Sequence, residues 1–204
     1  MKQENLYSIG HGNKNIEKFI EELKNFNIKY LIDIRSKPYS KFNQQFNQDE
    51  LKDSLSQENI KYTFLGKELG GLPEDPSCYT EGNVDYDKLK KKTIFKDGLK
   101  RLITADDKGI KVAIMCSESK PEECHRAKLI GEELTKFDIN LNHITKDQAK
   151  EKYKNLTYLM LYSVSPIIKS AFTAELKNTE SYLLKRSKNT WSVVASWPLP
   201  DMKR

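Results

Sequence analysis

The chain has only three cysteines, Cys78, Cys116 and Cys124, among 204 residues. The number is odd and no pair has CxxC spacing, which excludes a disulfide framework and leaves reduced thiols as the expectation. Long apolar runs are missing as well. The longest, Leu156 to Ile168, is interrupted by Thr157, Ser163, Ser165 and Pro166 and falls short of the roughly 20 residues that span a bilayer. Met1 to Asn5 is polar and the first apolar run is too short for the core of a secretory signal. No membrane partner and a cytoplasmic location are therefore expected. No internal repeat or low-complexity tract is visible.

What remains is the composition of a globular protein, 37% hydrophobic and 31% charged, with ten tyrosines beside eight phenylalanines. A chain of this length can bury a real core in one domain, with or without an appendage. Its charge is uneven. Residues 151 to 204 hold seven Lys and two Arg against three Glu and one Asp, a net +5 of the formal +6. That asymmetry points to an acidic partner, nucleic acid first, against the alternative of a merely solvated lysine-rich face.

Apolar runs alternate with helical patterns through the first 150 residues. Leu6 to Ile9 ends at Gly10, His11, Gly12 and reads as a buried strand entering a turn. Asn13 or Asn15 then caps a helix through Ile16, Phe19, Ile20 and Leu23. Tyr30 to Ile34 is a second strand, Asn47 with Glu50 a capped helix start, Ile60 to Leu65 a third strand, Lys111 to Met115 a fourth and Ile139 to Ile144 a fifth. Strands joined through helices require parallel crossovers. The expected fold is therefore α/β, a mainly parallel sheet with flanking helices over residues 1–150. Residues 151–204 form a basic, aromatic-containing C-terminal appendage, helical and extended, packed on it. The Gly- and Pro-rich loop from Glu68 to Asn83 is long enough to cover something.

The stretch MCSESKPEECHRAKLI, Met115 to Ile130, concentrates chemistry directly after the fourth strand. Ser119 followed by Glu122 matches a capping box, so Cys116 to Ser119, with Ser117 between, reads as a strand-to-helix turn facing an anion with free N–H groups. Arg126, two turns into that helix, and Arg35, at the end of the second strand, suit phosphate or carboxylate. His11 and His125 can transfer protons near neutral pH. Asp33 and Glu118 can divide base and acid roles, or can form ion pairs with Arg35 and Arg126 that only order the loops. In the turn, Cys116 should be the more acidic thiol and the first to react, whereas Cys124 shares a stripe with Ala127, Ile130 and Leu134 and reads as core. A metal site from Cys116, Cys124, His125 and His11 lacks zinc-motif spacing and none is expected. In parallel α/β sheets, ligands bind along the edge where the strands end.

IGHG (Ile9 to Gly12), DIRSKPYS (Asp33 to Ser40), the pair Phe46 and Asn47, ELGG (Glu68 to Gly71), and CSE followed by CHR (Cys116 to Glu118, Cys124 to Arg126) occur in this order. Together they resemble the family catalogued as domain of unknown function 488, over roughly residues 5–145. The resemblance implies an α/β domain whose polar motifs meet at one site, carried here by His11, Asp33, Arg35, Pro38, Ser40, Glu68, Cys116, Glu118, Cys124, His125 and Arg126. It brings no established reaction, and the cofactor is unknown.

The leading expectation is a hydrolase or transferase acting on a phosphate-bearing substrate, a nucleotide or nucleic acid. Arg35, Arg126, Ser117, Ser119, Ser40 and Glu68 would bind it, while Glu118, Asp33, His11, His125 and Cys116 would supply the chemistry. The alternatives are a non-catalytic domain holding an anion or nucleic acid, and a thiol-dependent redox protein working through Cys116. Lys185, Arg186 and Lys188 are the expected nucleic-acid contacts of the appendage.

Overall fold

A computed structural model describes residues 4–145, together with the backbone of residues 181–187 and 190–197. The chain divides into two compact units, Met1–Lys152 and Tyr153–Arg204.

The first unit is an α/β fold. Strands β1 (Leu6–Gly10), β2 (Tyr30–Asp33), β3 (Lys61–Phe64), β6 (Val112–Cys116) and β7 (Asn142–Ile144) form one sheet in the order β3-β2-β6-β1-β7. Every pairing in it is parallel. A small hairpin of β4 (Tyr79–Thr80) and β5 (Asn83–Val84) stands apart. β1 and β6 are buried along their whole length. Strands covered on both faces read as continuous apolar runs, which is why these two are plain in the sequence.

Side chains alternate between two cores. On one face Ile9, Leu31, Ala113 and Met115 pack with Phe19, Ile20 and Leu23 of α1 (Ile16–Asn25) and with Leu51 and Leu55 of α2 (Gln48–Gln57). On the other, Ile32, Val112, Ile114 and Cys116 pack with Leu69 of α3 (Gly66–Leu69), Leu89 of α4 (Tyr86–Leu89), Phe95, Leu99 and Leu102 of α5 (Thr93–Asp107), and Leu134 of α6 (Glu132–Thr135). This is a three-layer arrangement, helices on sheet on helices. Asn15 caps α1, accepting from Lys18 N at 3.0 Å. Asn47 precedes α2 without capping it, because its Oδ1 accepts from Ser40 N at 2.7 Å instead and ties the DIRSKPYS loop to the helix start.

The chain after β6 departs from the expected capping box. A 3-10 turn, Pro121–Glu123, comes first, and neither Ser119 nor Lys120 caps it through a side chain. The helix starts only at Arg126, as a π-helix to Gly131, and runs into α6. Arg126 therefore opens the helix instead of lying two turns into it. Pro121 is the physical reason: its ring favours extended backbone at Lys120, and the single turn it begins closes on itself.

In the second unit, β8 (Ser181–Ser187) and β9 (Thr190–Trp197) form an antiparallel hairpin with a register shift between Leu183 and Leu184. Lys185 and Arg186 fall within β8; their side chains, and all of Lys188, lie outside the described residues. No helix among the described residues is long and apolar enough to cross a membrane.

Candidate functional site

The sequence motifs meet through direct contacts at the edge where the parallel strands end. Gly10, closing β1, lies so close to the Glu118 carbonyl that a Cβ would run into it, so glycine is required there. His11 N donates to Cys116 O at 3.1 Å, Gly12 N to Ser117 O at 3.0 Å and Ile34 N to Met115 O at 3.0 Å. Arg126, 1% exposed, donates to Glu118 O at 2.7 Å and Ser119 O at 3.0 Å. The turn after β6 thus offers its carbonyl oxygens to neighbours rather than a ring of N–H groups to an anion. With the helix beginning at Arg126, its positive end is not at Cys116 to Ser119. Ser117, Glu118 and Ser119 are exposed, and Glu118 contributes its backbone, not its carboxylate, to these bonds.

Asp33 and Arg35 form a buried ion pair. Asp33 is fully buried and accepts from Arg35 N (3.0 Å), Arg35 Nε (2.9 Å), Arg35 Nη2 (2.6 Å) and Tyr62 Oη (2.9 Å). Burial and then the Asp33 charge push the Tyr62 phenol upward, so it remains a donor. Arg35 Nη2 also donates to Phe46 O at 2.7 Å. The Phe46 ring stacks on His11, centroids 4.4 Å apart and tilted by 17°. The carboxylate therefore orders the arginine, the arginine holds Phe46, and Phe46 holds the imidazole.

His11 is 3% exposed. Its Nδ1 lies 2.9 Å from Gly12 O. A carbonyl only accepts, so Nδ1 carries the proton and Nε2 presents a lone pair. That Nε2 is buried without a partner among the described residues. Burial first, then the Arg35 and Lys14 charges, lower the ring from 6.5 to about 4, against the upward pull of Gly12 O and Asp33. His11 is neutral at pH 7.

A second cluster brings together three of the four residues that the sequence offered, without zinc-motif spacing, as a metal site. Cys116 ends β6, and Cys124 and His125 return over it just before the π-helix. His125 Nδ1 is 3.8 Å from Cys116 Sγ and 3.6 Å from Cys124 Sγ, and the three atoms lie within 4.8 Å of one another. The order of thiol acidity is the reverse of that expected from a turn. Hydrogen bonding with Cys124, then burial, pushes Cys116 up to about 12. The same bond with Cys116 lowers Cys124 to about 6, aided by Arg126. Cys124 is buried, as its stripe implied, yet it faces Cys116. His11 does not join this group.

The end of the ELGG segment and the residue after it lie close to the loop following β2 and to His125. Leu72 N donates to Ser36 Oγ at 2.9 Å. A Cβ on Gly71 would lie 2.9 Å from the His125 ring, so Gly71→Ala should displace that ring and destabilise the unit by about 1–3 kcal/mol as an overpacked contact. Thermal melts of the two proteins check the cost, and the histidine ring resonances check the displacement. Glu68 turns the other way, 4.0 Å from Arg101 on α5. Ser40 Oγ accepts from Phe42 N (3.2 Å) and Asn43 N (3.3 Å) and shapes its own loop.

Most of these motifs fall within one family-model match. The model for the domain of unknown function DUF488 matches residues 15–131, more than half of the chain. The chain belongs to the DUF488 family. The span matched to DUF488 includes Asp33, Arg35, Glu68, Cys116, Cys124, His125 and Arg126, and begins just after His11. No curated protein and no solved structure matches the chain.

Sequence reading did not single out Phe46, Tyr62 and Gly71 as parts of the site by their chemistry. Two carried a signal, since Phe46 and Gly71 lie inside family motifs. Tyr62 carried none, because a tyrosine on an edge strand looks like any strand residue.

Proposed function

We propose that this DUF488 chain is a hydrolase or transferase acting on a phosphate-bearing substrate, nucleotide or nucleic acid, at the end of β1 and β2. The observation that carries the reading is His11. It is a neutral imidazole of fixed tautomer, its Nε2 lone pair held out of water and without a partner among the described residues, with the Arg35 and Lys14 charges disfavouring its protonation. A buried acceptor left unpaired favours whatever brings it a proton donor. Arg35 and Lys14, although paired with Asp33 and Glu22, are the nearby groups that would favour an anion.

In the mechanism His11 Nε2 accepts the proton of the attacking water or hydroxyl. A phosphate drawn beside it supplies negative charge that raises the imidazole pKa toward 7, so the base strengthens when substrate arrives. Arg35 is held by Asp33 and Phe46 O, and it acts as a fixed charge and not as a mobile clamp. A cytoplasmic setting and contacts from Lys185, Arg186 and Lys188 to a nucleic-acid substrate are parts of the same proposal.

The test pairs a binding and a turnover measurement on the full chain. Inorganic phosphate, a mononucleotide and a short oligonucleotide are titrated while the His11 ring is followed by NMR. Bis(p-nitrophenyl) phosphate and p-nitrophenyl phosphate serve as generic ester probes. One of the anions should raise the His11 pKa, and His11→Asn should lower any ester turnover about 100- to 10,000-fold, as expected for loss of a general base. An imidazole that ignores all three anions at millimolar concentration sinks the reading.

A further inference from the structure

We propose that Cys116 Sγ, Cys124 Sγ and His125 Nδ1 form a binding site for one thiophilic divalent cation, zinc first, with a coordination position left for water or substrate. The geometry carries it. Zinc–sulfur bonds of about 2.3 Å and zinc–nitrogen bonds of about 2.0–2.1 Å in a tetrahedron put sulfur and nitrogen about 3.5–3.6 Å apart. The observed separations from Nδ1 are 3.6 and 3.8 Å, and the whole triad lies within 4.8 Å. Small adjustments of side chains bring all three atoms onto one ion.

Hydrogen bonding alone is a poorer account of the same contacts. A ring nitrogen has either one proton or one lone pair, so it serves one sulfur at a time. Here two sulfurs converge on it at nearly equal distance. A cation between the three satisfies all of them together. Two thiolates also balance a divalent ion, and sulfur with imidazole is a donor set suited to zinc more than to magnesium or calcium.

The surroundings support the ligands. Arg126 N lies 3.5 Å from Cys124 Sγ as a donor to that sulfur. The Gly71 backbone sits against the His125 ring and limits its movement. With Nδ1 on the metal, Nε2 carries the proton; it is buried without a partner among the described residues, where an outer acceptor or water would complete the site. No fourth His, Cys, Asp or Glu joins the triad among the described residues. Three protein ligands and an open place are the pattern of catalytic zinc rather than of closed structural sites. The site uses none of the atoms assigned to His11, so the two proposals fail separately.

The full chain, reduced and stripped with a chelator, is titrated with Co²⁺ and then with Zn²⁺ against a chromophoric chelator. The expected result is one ion per chain, with a thiolate-to-cobalt charge-transfer band and the strong visible bands of a four-coordinate ion. Cys116→Ser, Cys124→Ser and His125→Gln should each weaken binding on the order of 100-fold or more, beyond what loss of an outer-shell partner does. Cys78→Ser should leave it unchanged. Circular dichroism of each variant separates loss of ligand from loss of fold, and His125, less buried than the two cysteines, makes His125→Gln the safest probe. A reduced, folded chain that gives no charge-transfer band overturns the site. So does a chain whose cobalt spectrum survives in Cys116→Ser/Cys124→Ser, or one that only joins Cys116 to Cys124 as a disulfide and binds neither ion.

Discussion

Replacing Asp33 with Ala is expected to destabilise the α/β unit by about 3–5 kcal/mol, the range found when one member of a buried ion pair is removed. The reason is what remains. The Arg35 side chain is 4% exposed and its partner carboxylate fully buried. Without Asp33, a nearly buried guanidinium keeps Phe46 O, at 2.7 Å, but loses its carboxylate, and Tyr62 Oη loses its acceptor. Urea unfolding followed at amides of β2 measures the loss. Asp33→Leu combined with Arg35→Met removes both charges, so it should recover most of that stability. A double variant as unstable as Asp33→Ala would mean that packing, not charge, dominates. An Asp33→Ala protein within 1 kcal/mol of the parent would contradict the buried pair itself.

That pair also shows what could be read in advance. Both the ion pair and a catalytic Asp33 were consistent with DIRS, because a one-dimensional spacing does not say how many of a carboxylate's lone pairs are taken. Three Arg35 donors and Tyr62 take them, and Tyr62 comes from β3, a neighbour fixed only by the sheet order. Strands were legible because β1 and β6 are buried along their length and mostly apolar, and with them the placement of His11, Asp33 and Cys116 at one edge. The order β3-β2-β6-β1-β7 was not legible, since non-local pairing leaves no local pattern.

The stretch after β6 misled for a local reason. Ser119 and Glu122 have capping-box spacing, but Pro121 opens a 3-10 turn and delays the helix to Arg126. That delay folds Cys124 and His125 back over the strand end, creating the triad with Cys116. It also buries the Arg126 guanidinium against Glu118 O and Ser119 O, where the sequence had suggested a ligand for substrate. A helix starting at Ser119 would have separated the two thiols and left Arg126 on the helix surface.

His11 supplies the second large effect, a pH dependence with a definite sign. Its pKa falls from 6.5 to about 4 on folding, chiefly through burial. Between those values the unfolded chain binds the proton and the folded chain does not. Stability therefore rises with pH through this window and is lost as pH falls through it. A shift of that size corresponds to roughly 3 kcal/mol, fully present above pH 6.5 and gone below pH about 4. His11→Asn keeps a donor for Gly12 O but cannot titrate, so its profile should be flatter than the parent's by about that amount. His143, also lowered by burial, acts in the same direction in both proteins and cancels in the difference. Urea midpoints from pH 4 to pH 7.5 for the two chains provide the test, and the His11 ring resonances give its pKa directly. Parallel profiles would mean that water or a proton reaches Nε2 in the folded chain. The same titration in phosphate tests the catalytic reading, because an anion seated by His11 must bring its midpoint back up and shrink the difference between the two profiles.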